Sequence, residues 1–331
     1  MTRRTTAASG LLVAVSLTVS GCSGQSKPQP RPAASHTPQL APAFEKRAEP
    51  AEAVLSLVPQ SADVITVTDW DEIRVQLGQP ELTSESLVTD RTTFWEREAK
   101  EAPALAEGML RADDSTYLLD YGFTQDDVDW EAHWDGPDGP GYALKLRNDL
   151  DLEPVRLAIR QGVGAIGDGR IIGADHLVVH GTSDVDTWAS QTGWDDLVSA
   201  PAEATYLRRG CIPLAEALGP DGTSADVDAI EALKVVPDLD DLPGFAVGFG
   251  DHNATVRVEP GRLDDFDRLH LADDWPVPDF NQAFKQGVAD PSSGRLGYDV
   301  PNPPKAAAVT LLGELPFAVC NEITPIPVPT G

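Results

Sequence analysis

The stretch FAVGFGDHNATVRVEP, residues 245–260, decides the fold class. Two runs rich in apolar and β-branched residues flank the polar residues 251–253, which predicts a β-hairpin with its turn at that point. A tight hairpin can join only antiparallel strands. The stretch ADVITVTDW, residues 62–70, is also β-branched and predicts a further strand.

Helical patterns lie between these strands. Residues 84–111, interrupted near Pro103, and residues 152–161 show helical spacing of their apolar side chains. The irregular alternation of strands and helices predicts an α+β fold with a mostly antiparallel sheet and packed helices. A weak strand–helix–strand rhythm recurs in residues 142–180 and 244–300. Two similar subdomains, split near residues 200–240, are therefore an open alternative.

Two further stretches are expected to be helical. TQDDVDWEAHW, residues 124–134, begins at Thr124 with Asp127 in the capping-box position. APAEATYLRRGCIPLAEAL, residues 200–218, is expected to form two helical pieces. Trp130 and Trp134 are spaced four residues apart, and the pattern leaves open whether they belong to the core or to a binding surface.

The stretch GVGAIGDG, residues 162–169, has the G-x-G-x-x-G spacing of a dinucleotide-binding loop. Such a loop must follow a strand and open a helix, so that the helix N-terminus meets the pyrophosphate. Here the order is reversed, because a helix precedes Gly162 and a strand-like stretch follows it. We interpret Gly162 as a left-handed helix cap, and we expect no nucleotide and no other cofactor.

The chain is strongly acidic, with 25 Lys and Arg against 53 Asp and Glu and a formal net charge of −28. Such a surface repels phosphate backbones, so we expect no nucleic-acid partner. Several Asp-x-Asp pairs occur, but none fits the calcium loop of an EF-hand, and most are expected to cap helices. Familiar nucleophile and metalloprotease motifs are absent from the sequence, and we assign no catalytic or metal-binding residue.

The N-terminus reads MTRRTTAASGLLVAVSLTVSGCSGQS, with a short basic region, an apolar segment and small residues before Cys22. This layout is that of a secretory signal peptide. The tetrapeptide VSGC, residues 19–22, resembles the lipobox of bacterial lipoproteins. The resemblance implies that residues 1–21 are removed and that Cys22 carries a lipid. The membrane would then be a partner, and the protein would lie on the extracytoplasmic face of the bacterial cell membrane.

Two segments show no periodic pattern of apolar residues. Residues 22–50 are rich in Pro, Ser, Ala and Gln, and we expect a disordered tether there. Residues 321–331 form a similar Pro-rich tail. A globular body is therefore expected over residues 51–320.

Besides Cys22, the chain contains only Cys211 and Cys320. In an oxidising compartment this pair is expected to form a disulfide. The chain-entropy model assigns a bridge across this separation roughly 4–5 kcal/mol of stabilisation. Two separate buried thiols are the alternative.

These features point to a lipid-anchored, extracytoplasmic and non-enzymatic module that binds an unknown protein or another component of the envelope. A solute-binding lipoprotein of a transporter is the alternative, because size and anchoring allow it. A cell-wall hydrolase is a third hypothesis, since a pair of carboxylates for glycoside hydrolysis could be found among so many acids.

Overall fold

The computed structural model describes residues 38–323. Across this range the strands form a single sheet in which all neighbouring strands are antiparallel, and this confirms the predicted α+β class. The strands are β1 (Val64–Asp69), β2 (Val128–Asp135), β3 (Gly141–Leu146), β4 (Arg170–Ile172), β5 (Leu177–His180), β6 (Ala204–Arg209), β7 (Gly244–Gly250), β8 (Asn253–Arg257), β9 (Lys285–Asp290) and β10 (Arg295–Asp299).

The strand order is β4-β5-β3-β2-β1-β6-β7-β8-β10-β9. We call β1–β5 the N-terminal half-sheet and β6–β10 the C-terminal half-sheet. Read outward from the centre, each half has its first, second and third strands in chain order, followed by its fifth and then its fourth. The halves meet where β1 pairs with β6, with Thr66 opposite Tyr206. The rhythm seen in the sequence thus recurs as one strand order, used twice within a continuous sheet.

Helices are distributed along the chain between the strands. Within residues 38–323, none of them is both long and apolar enough to cross a membrane. The α-helices of this range are α1 (Pro50–Ala53), α2 (Trp70–Gln76), α3 (Val88–Glu101), α4 (Asp114–Thr116), α5 (Leu152–Arg160), α6 (Trp194–Val198), α7 (Leu214–Ala217), α8 (Ser224–Leu233), α9 (Asp265–Asp273), α10 (Pro278–Ala283) and α11 (Pro303–Leu311).

One face of the sheet, the helical face, is covered along both halves. Phe94 of α3 and Val155 of α5 pack in the apolar cluster beneath the N-terminal half. Ile230 of α8 and Leu271 of α9 belong to the corresponding cluster of the C-terminal half. The opposite face carries a cap, formed by residues 38–58 and 183–198, whose apolar side chains pack on the N-terminal half and on the centre of the sheet.

The glycine-rich stretch lies where the sequence analysis placed it, between a helix and a strand. Helix α5 ends just before Gly162, which adopts φ +66°, and the Gly162 amide donates to the carbonyl of Ile159. Strand β4 begins only at Arg170. The run therefore closes a helix in the left-handed conformation that glycine adopts without strain.

Two stretches expected to be helical contain strands, although helix α7 (Leu214–Ala217) forms near the end of the second stretch. The capping box of Thr124 and Asp127 forms, but it opens only a single turn before strand β2 begins at Val128. Strand β6 (Ala204–Arg209) lies in the stretch expected to be helical and pairs with both β1 and β7. In both places pairing on either side overrides the local helical preference.

The ordered body begins earlier than expected. Residues 38–50 were assigned to the tether, yet the amide of Ala41 donates to the carbonyl of Asp184, and Leu40 forms a β-bridge with Val185. Phe44 lies against Trp130, with ring centroids 6.4 Å apart. These contacts place the segment in the cap, because one aromatic anchor and backbone pairing suffice to order a Pro-rich stretch.

Candidate functional site

The two half-sheets differ in how their faces are covered. Every residue of β3 in the N-terminal half is buried, so both of its faces are covered. In the C-terminal half, β8 and β10 alternate between buried and more exposed residues, so that only one of their faces is covered. On this side of β7, Ala246 still packs with the cap, but no segment within residues 38–323 contributes an apolar cluster to the same side of β8–β10. We call this side of β8–β10, together with Gly248 of β7, the open face.

A row of small side chains begins at Thr205 of β6, which is buried, and crosses the open face. Thr205, Gly248, Thr255 and Gly297 lie side by side on β6, β7, β8 and β10, and the row ends at Val288 on β9. Val288 is 65% exposed. We call these five residues the small-residue row. Because two of its members are glycines, the row leaves a shallow trough over the sheet backbone.

The cap ends at the border of the open face. The Arg209 guanidinium lies 4.8 Å from the ring centroid of Trp188 and 5.7 Å from that of Trp194, which fastens this part of the cap to β6 by cation–π contacts. Gly244 of β7 admits the Trp194 ring, because a Cβ at that position would lie 2.2 Å from it. The covered region therefore stops over β6 and β7.

A cavity of about 190 Å³ lies where the cap meets the open face. Leu197 and Val198 of α6 form its wall together with Ala202, and its floor includes Thr255 and Arg257. A Cβ built on Gly248 would lie 3.6 Å from the Ala202 Cβ, so the floor is close to this wall. The cavity combines an apolar wall with a polar floor, and its lining also includes Asp251. Its volume is below the roughly 300–1,000 Å³ of most small-molecule sites.

Two arginines lie next to the small-residue row. Arg257 of β8 is directly opposite Arg295 of β10. Burial and the charge of Arg295 lower the pKa of the Arg257 guanidinium. Among residues 38–323, neither guanidinium has a hydrogen-bond acceptor or a carboxylate within ion-pair distance. In so acidic a chain, two adjacent arginines without such partners are the clearest electrostatic feature of the open face.

The β7–β8 turn closes the other end of the open face. Asp251 and His252 form the predicted turn, and both adopt positive φ, of 51° and 59°. The Asp251 amide donates to Glu203, whose pKa is raised by burial. A second cavity, of about 150 Å³, lies beside this turn and is lined by Glu101 and Glu203 as well as His252.

The disulfide joins the two cysteines that the sequence analysis paired. Cys211 follows β6 and Cys320 lies near the end of the described chain, with their Cα atoms 4.9 Å apart. The Ile212 amide donates to Ala318, and the Cys320 amide donates to Ile212. The bridge therefore holds the C-terminal segment against the beginning of the C-terminal half. Cys22, the predicted lipidation residue, lies outside the described residues.

The paired tryptophans belong to the core. Trp130 and Trp134 lie on one face of β2, where they are 7% and 3% exposed. Their spacing of four residues reflects the alternation of a strand. They form part of the apolar surface beneath the cap, which answers the question that the sequence left open.

A buried ionic network lies beneath the N-terminal half. The Asp126 carboxylate accepts hydrogen bonds from Arg91 of α3 and, at 2.9 Å, from the indole of Trp95. Glu131 accepts from the Met109 amide at 3.0 Å and from Gln125 at 2.9 Å. Because protein donors satisfy these acids, the network positions α3 and the turn before β2.

The C-terminal half contains a similar network. The Asp264 carboxylate accepts from Arg262 at 2.9 Å and from Arg268 at 2.7 Å. Arg268 also donates to the carbonyls of Phe317 and Val319, next to the disulfide. Arg91 lies 35 residues from Asp126, and no motif of the sequence marks that separation. Asp264 and Arg268 lie four residues apart, an ion-pair spacing of helices that was the available signal for the second network.

Three carboxyl groups of the N-terminal half have strongly raised pKa values. Burial raises the pKa of Asp69 and of Glu98 to about 7, and that of Asp129 to about 6. Asp69 also caps α2, since it accepts a hydrogen bond from the Glu72 amide. Within residues 38–323, no three His, Cys, Asp or Glu side chains are arranged to hold a metal ion.

Comparisons with known proteins give a distant likeness. No family model matches the chain, and no curated protein matches it. Among solved structures, crystal form I of TP0453 matches with a TM-score of 0.32 and 8% sequence identity, covering 81% of this chain and 98% of that one. At this TM-score the likeness carries no argument about function.

Proposed function

We propose that the protein is a lipid-anchored, extracytoplasmic binding module that receives its partner on the open face of the C-terminal half-sheet. The observation that carries the proposal is the difference between the half-sheets. The N-terminal half-sheet is covered on both faces. The C-terminal half-sheet has the same strand order but one uncovered face, which is lined by small residues and two arginines.

The disulfide supports the extracytoplasmic part of the proposal. Bridges of this kind form and persist in oxidising compartments. Cys211 and Cys320 are joined, which agrees with export by the signal peptide expected at residues 1–21. Lipidation of Cys22 would then hold the exported protein at the outer surface of the membrane.

Mass spectrometry of the mature protein tests the anchor. We expect an N-terminal Cys22 that carries a diacylglyceryl group, and a Cys22→Ala variant that is no longer retained in the membrane fraction. An unmodified Cys22 thiol in the mature protein would contradict the anchor.

Photo-crosslinking in intact cells tests the binding surface. A photoreactive amino acid replaces Thr255 on the open face and, as a matched control, Arg160, which is exposed at the end of α5. We expect a discrete adduct, detected by mass spectrometry, from position 255 and not from position 160. Equal adduct patterns at the two positions, or none at position 255, would contradict the proposal.

A further inference from the structure

Arg257 and Arg295 form an unfavourable pair in the isolated protein. Like charges placed directly opposite on neighbouring strands destabilise a sheet. Each guanidinium carries five N–H donors, and none of these donors has an acceptor among residues 38–323. Both side chains leave the same side of the sheet, beside the trough of the small-residue row. A ligand that accepts from both guanidinium groups would remove the repulsion between them.

The nearest acid does not play this part. Asp290 is opposite Arg295 on the edge strand β9. Its carboxylate instead accepts from the hydroxyls of Ser292 and Ser293, at 2.5 and 2.6 Å, within its own turn. The hydrogen bonds from Ser292 and Ser293 and, to a smaller extent, the nearby charge of Arg295 lower the pKa of the Asp290 carboxyl. Asp290 thus offsets part of the charge of Arg295, but no hydrogen bond joins it to either arginine within residues 38–323.

The number of hydrogen-bond acceptors that two guanidinium groups require points to a phosphate group as the ligand. A carboxylate has two oxygens, which one guanidinium fork can fill in a bidentate pair. A phosphate monoester presents three terminal oxygens and a charge of −1.5 to −2 near pH 7, which suits two forks carrying two positive charges. Such a group is also the better counterion for a site at which two cations are held together.

The surroundings provide room for the organic part of such a ligand. The cavity of about 190 Å³ extends from Arg257 to Thr255, Thr205 and Asn253, whose side chains offer hydroxyl and amide groups. The small-residue row leaves the neighbouring floor shallow. A polar organic group attached to the phosphate could therefore lie along the row, within reach of hydrogen-bonding side chains.

We infer that Arg257 and Arg295 bind the phosphate of a phosphate monoester whose organic part lies along the small-residue row. This inference rests on the proposed role of the open face and specifies the chemistry of its partner. It makes the two arginines specificity-determining residues of a face that otherwise carries small residues and the carboxylates of Asp290 and Asp299.

Calorimetric titration of the purified full-length protein with methyl phosphate tests the inference. We expect binding to wild type, and a loss of at least tenfold in affinity in Arg257→Gln and in Arg295→Gln, since each variant removes a set of charge-assisted hydrogen bonds. Arg160→Gln, which makes the same change of charge on α5, is expected to bind like wild type. Dimethyl phosphate, which has the diester form of a phospholipid headgroup, is expected to bind at least tenfold more weakly.

Each outcome decides one point. Equal affinity in wild type and in the Arg257→Gln/Arg295→Gln double variant would overturn the inference, as would no binding of methyl phosphate or equal binding of the diester. If the crosslink from position 255 persists in the double variant, the binding function stands and the phosphate inference fails. If methyl phosphate binds as expected but position 255 yields no adduct in cells, the proposed function fails while the anion site stands.

Discussion

The N-terminal and C-terminal half-sheets repeat one strand order but meet different surroundings. The N-terminal half lies between helices and the cap, and its central strands carry Ala132, Ala143 and Val179 on the capped side. The C-terminal half presents Gly248, Thr255 and neighbouring polar residues on the same side of the sheet. Burial of the alanine and valine side chains stabilises the folded protein, whereas burial of glycine and threonine stabilises it little. The chain's own cap therefore covers the first half and the adjoining parts of β6 and β7, and it leaves β8–β10 uncovered.

One topology thus occurs twice, with different coverage of the sheet faces. The half that is covered on both faces also contains Asp126 and Glu131 in a satisfied buried network. The other half is held together from one side by its helices, its own Arg–Asp network and the disulfide. Its second face carries no apolar cluster on β8–β10 within residues 38–323, and it is the surface that we propose for binding.

The largest expected change in unfolding free energy comes from placing a carboxylate on the third strand of each half-sheet and comparing the two variants. Ala143 and Thr255 lie on β3 and β8, the third strands from the centre of their halves. Ala143→Asp would bury a carboxylate without a partner, and we expect a loss of about 4 kcal/mol or more, or failure to fold. Thr255→Asp faces the open side, and we expect a change within about 1 kcal/mol. Urea unfolding measures both, and similar losses in the two variants would show that the halves are covered alike.

Removal of the disulfide weakens the half that is covered on one face only. The Cys211→Ser/Cys320→Ser variant is expected to lose about 2–5 kcal/mol of unfolding free energy, because the bridge closes a loop of more than a hundred residues. Guanidinium unfolding with and without reductant provides the measurement. Wild-type protein in reductant is expected to match the double variant, and an unchanged midpoint in both cases would contradict the role of the bridge.

The pH dependence of stability tests the N-terminal half. Asp69 has a folded pKa of about 7, above its ordinary value of 3.8. The folded state therefore binds a proton that the unfolded state has lost, so the stability from this group is present below about pH 4 and is lost as the pH rises through 7. We expect Asp69→Asn, which can still cap α2, to reduce the loss of stability between pH 4 and 8 by about 1–3 kcal/mol. Parallel pH profiles for wild type and variant would contradict the burial of Asp69.

The smallest effect belongs to the arginine pair. In phosphate-free buffer, Arg257→Gln is expected to raise the unfolding free energy by about 0.2–1 kcal/mol, because it removes a like charge opposite Arg295 and leaves the Arg295–Asp290 pair in place. Arg160→Gln on α5 serves as the control and is expected to lower stability by a few tenths of a kcal/mol, because Arg160 lies in the last turn of the helix. A clear loss of stability in Arg257→Gln would show that Arg257 has a structural role and that the pair is not strained.

Local patterns predicted much of the fold. A short window of sequence contains the turn residues or the spacing of apolar residues that identify several elements. These are the hairpin of β7 and β8, helix α5 and the strand at residues 64–69. The stretches that became β2 and β6 were misjudged, because strands that pair on both sides are decided by distant partners. The cap was missed for the same reason, since residues 38–50 are ordered by contacts with residues 184–186.

The candidate site was less accessible to sequence reasoning. Arg257 and Arg295 are 38 residues apart, and only the register of β8 against β10 makes them neighbours. The sequence does show the alternation of small and apolar residues in this half. It does not show that the cap ends at Val198 and leaves β8–β10 uncovered, because that depends on the packing of two distant segments on the centre of the sheet.

Thiol labelling of the open face tests the central claim most directly. Thr255→Cys and Arg160→Cys are labelled with a membrane-impermeant maleimide, once in the purified protein and once in intact cells. If the open face is uncovered in the isolated chain and covered by a partner in the cell, the ratio of the labelling rates at positions 255 and 160 will fall by at least tenfold from purified protein to cells. An unchanged ratio would contradict the account, because the open face would then have no occupant where the protein works.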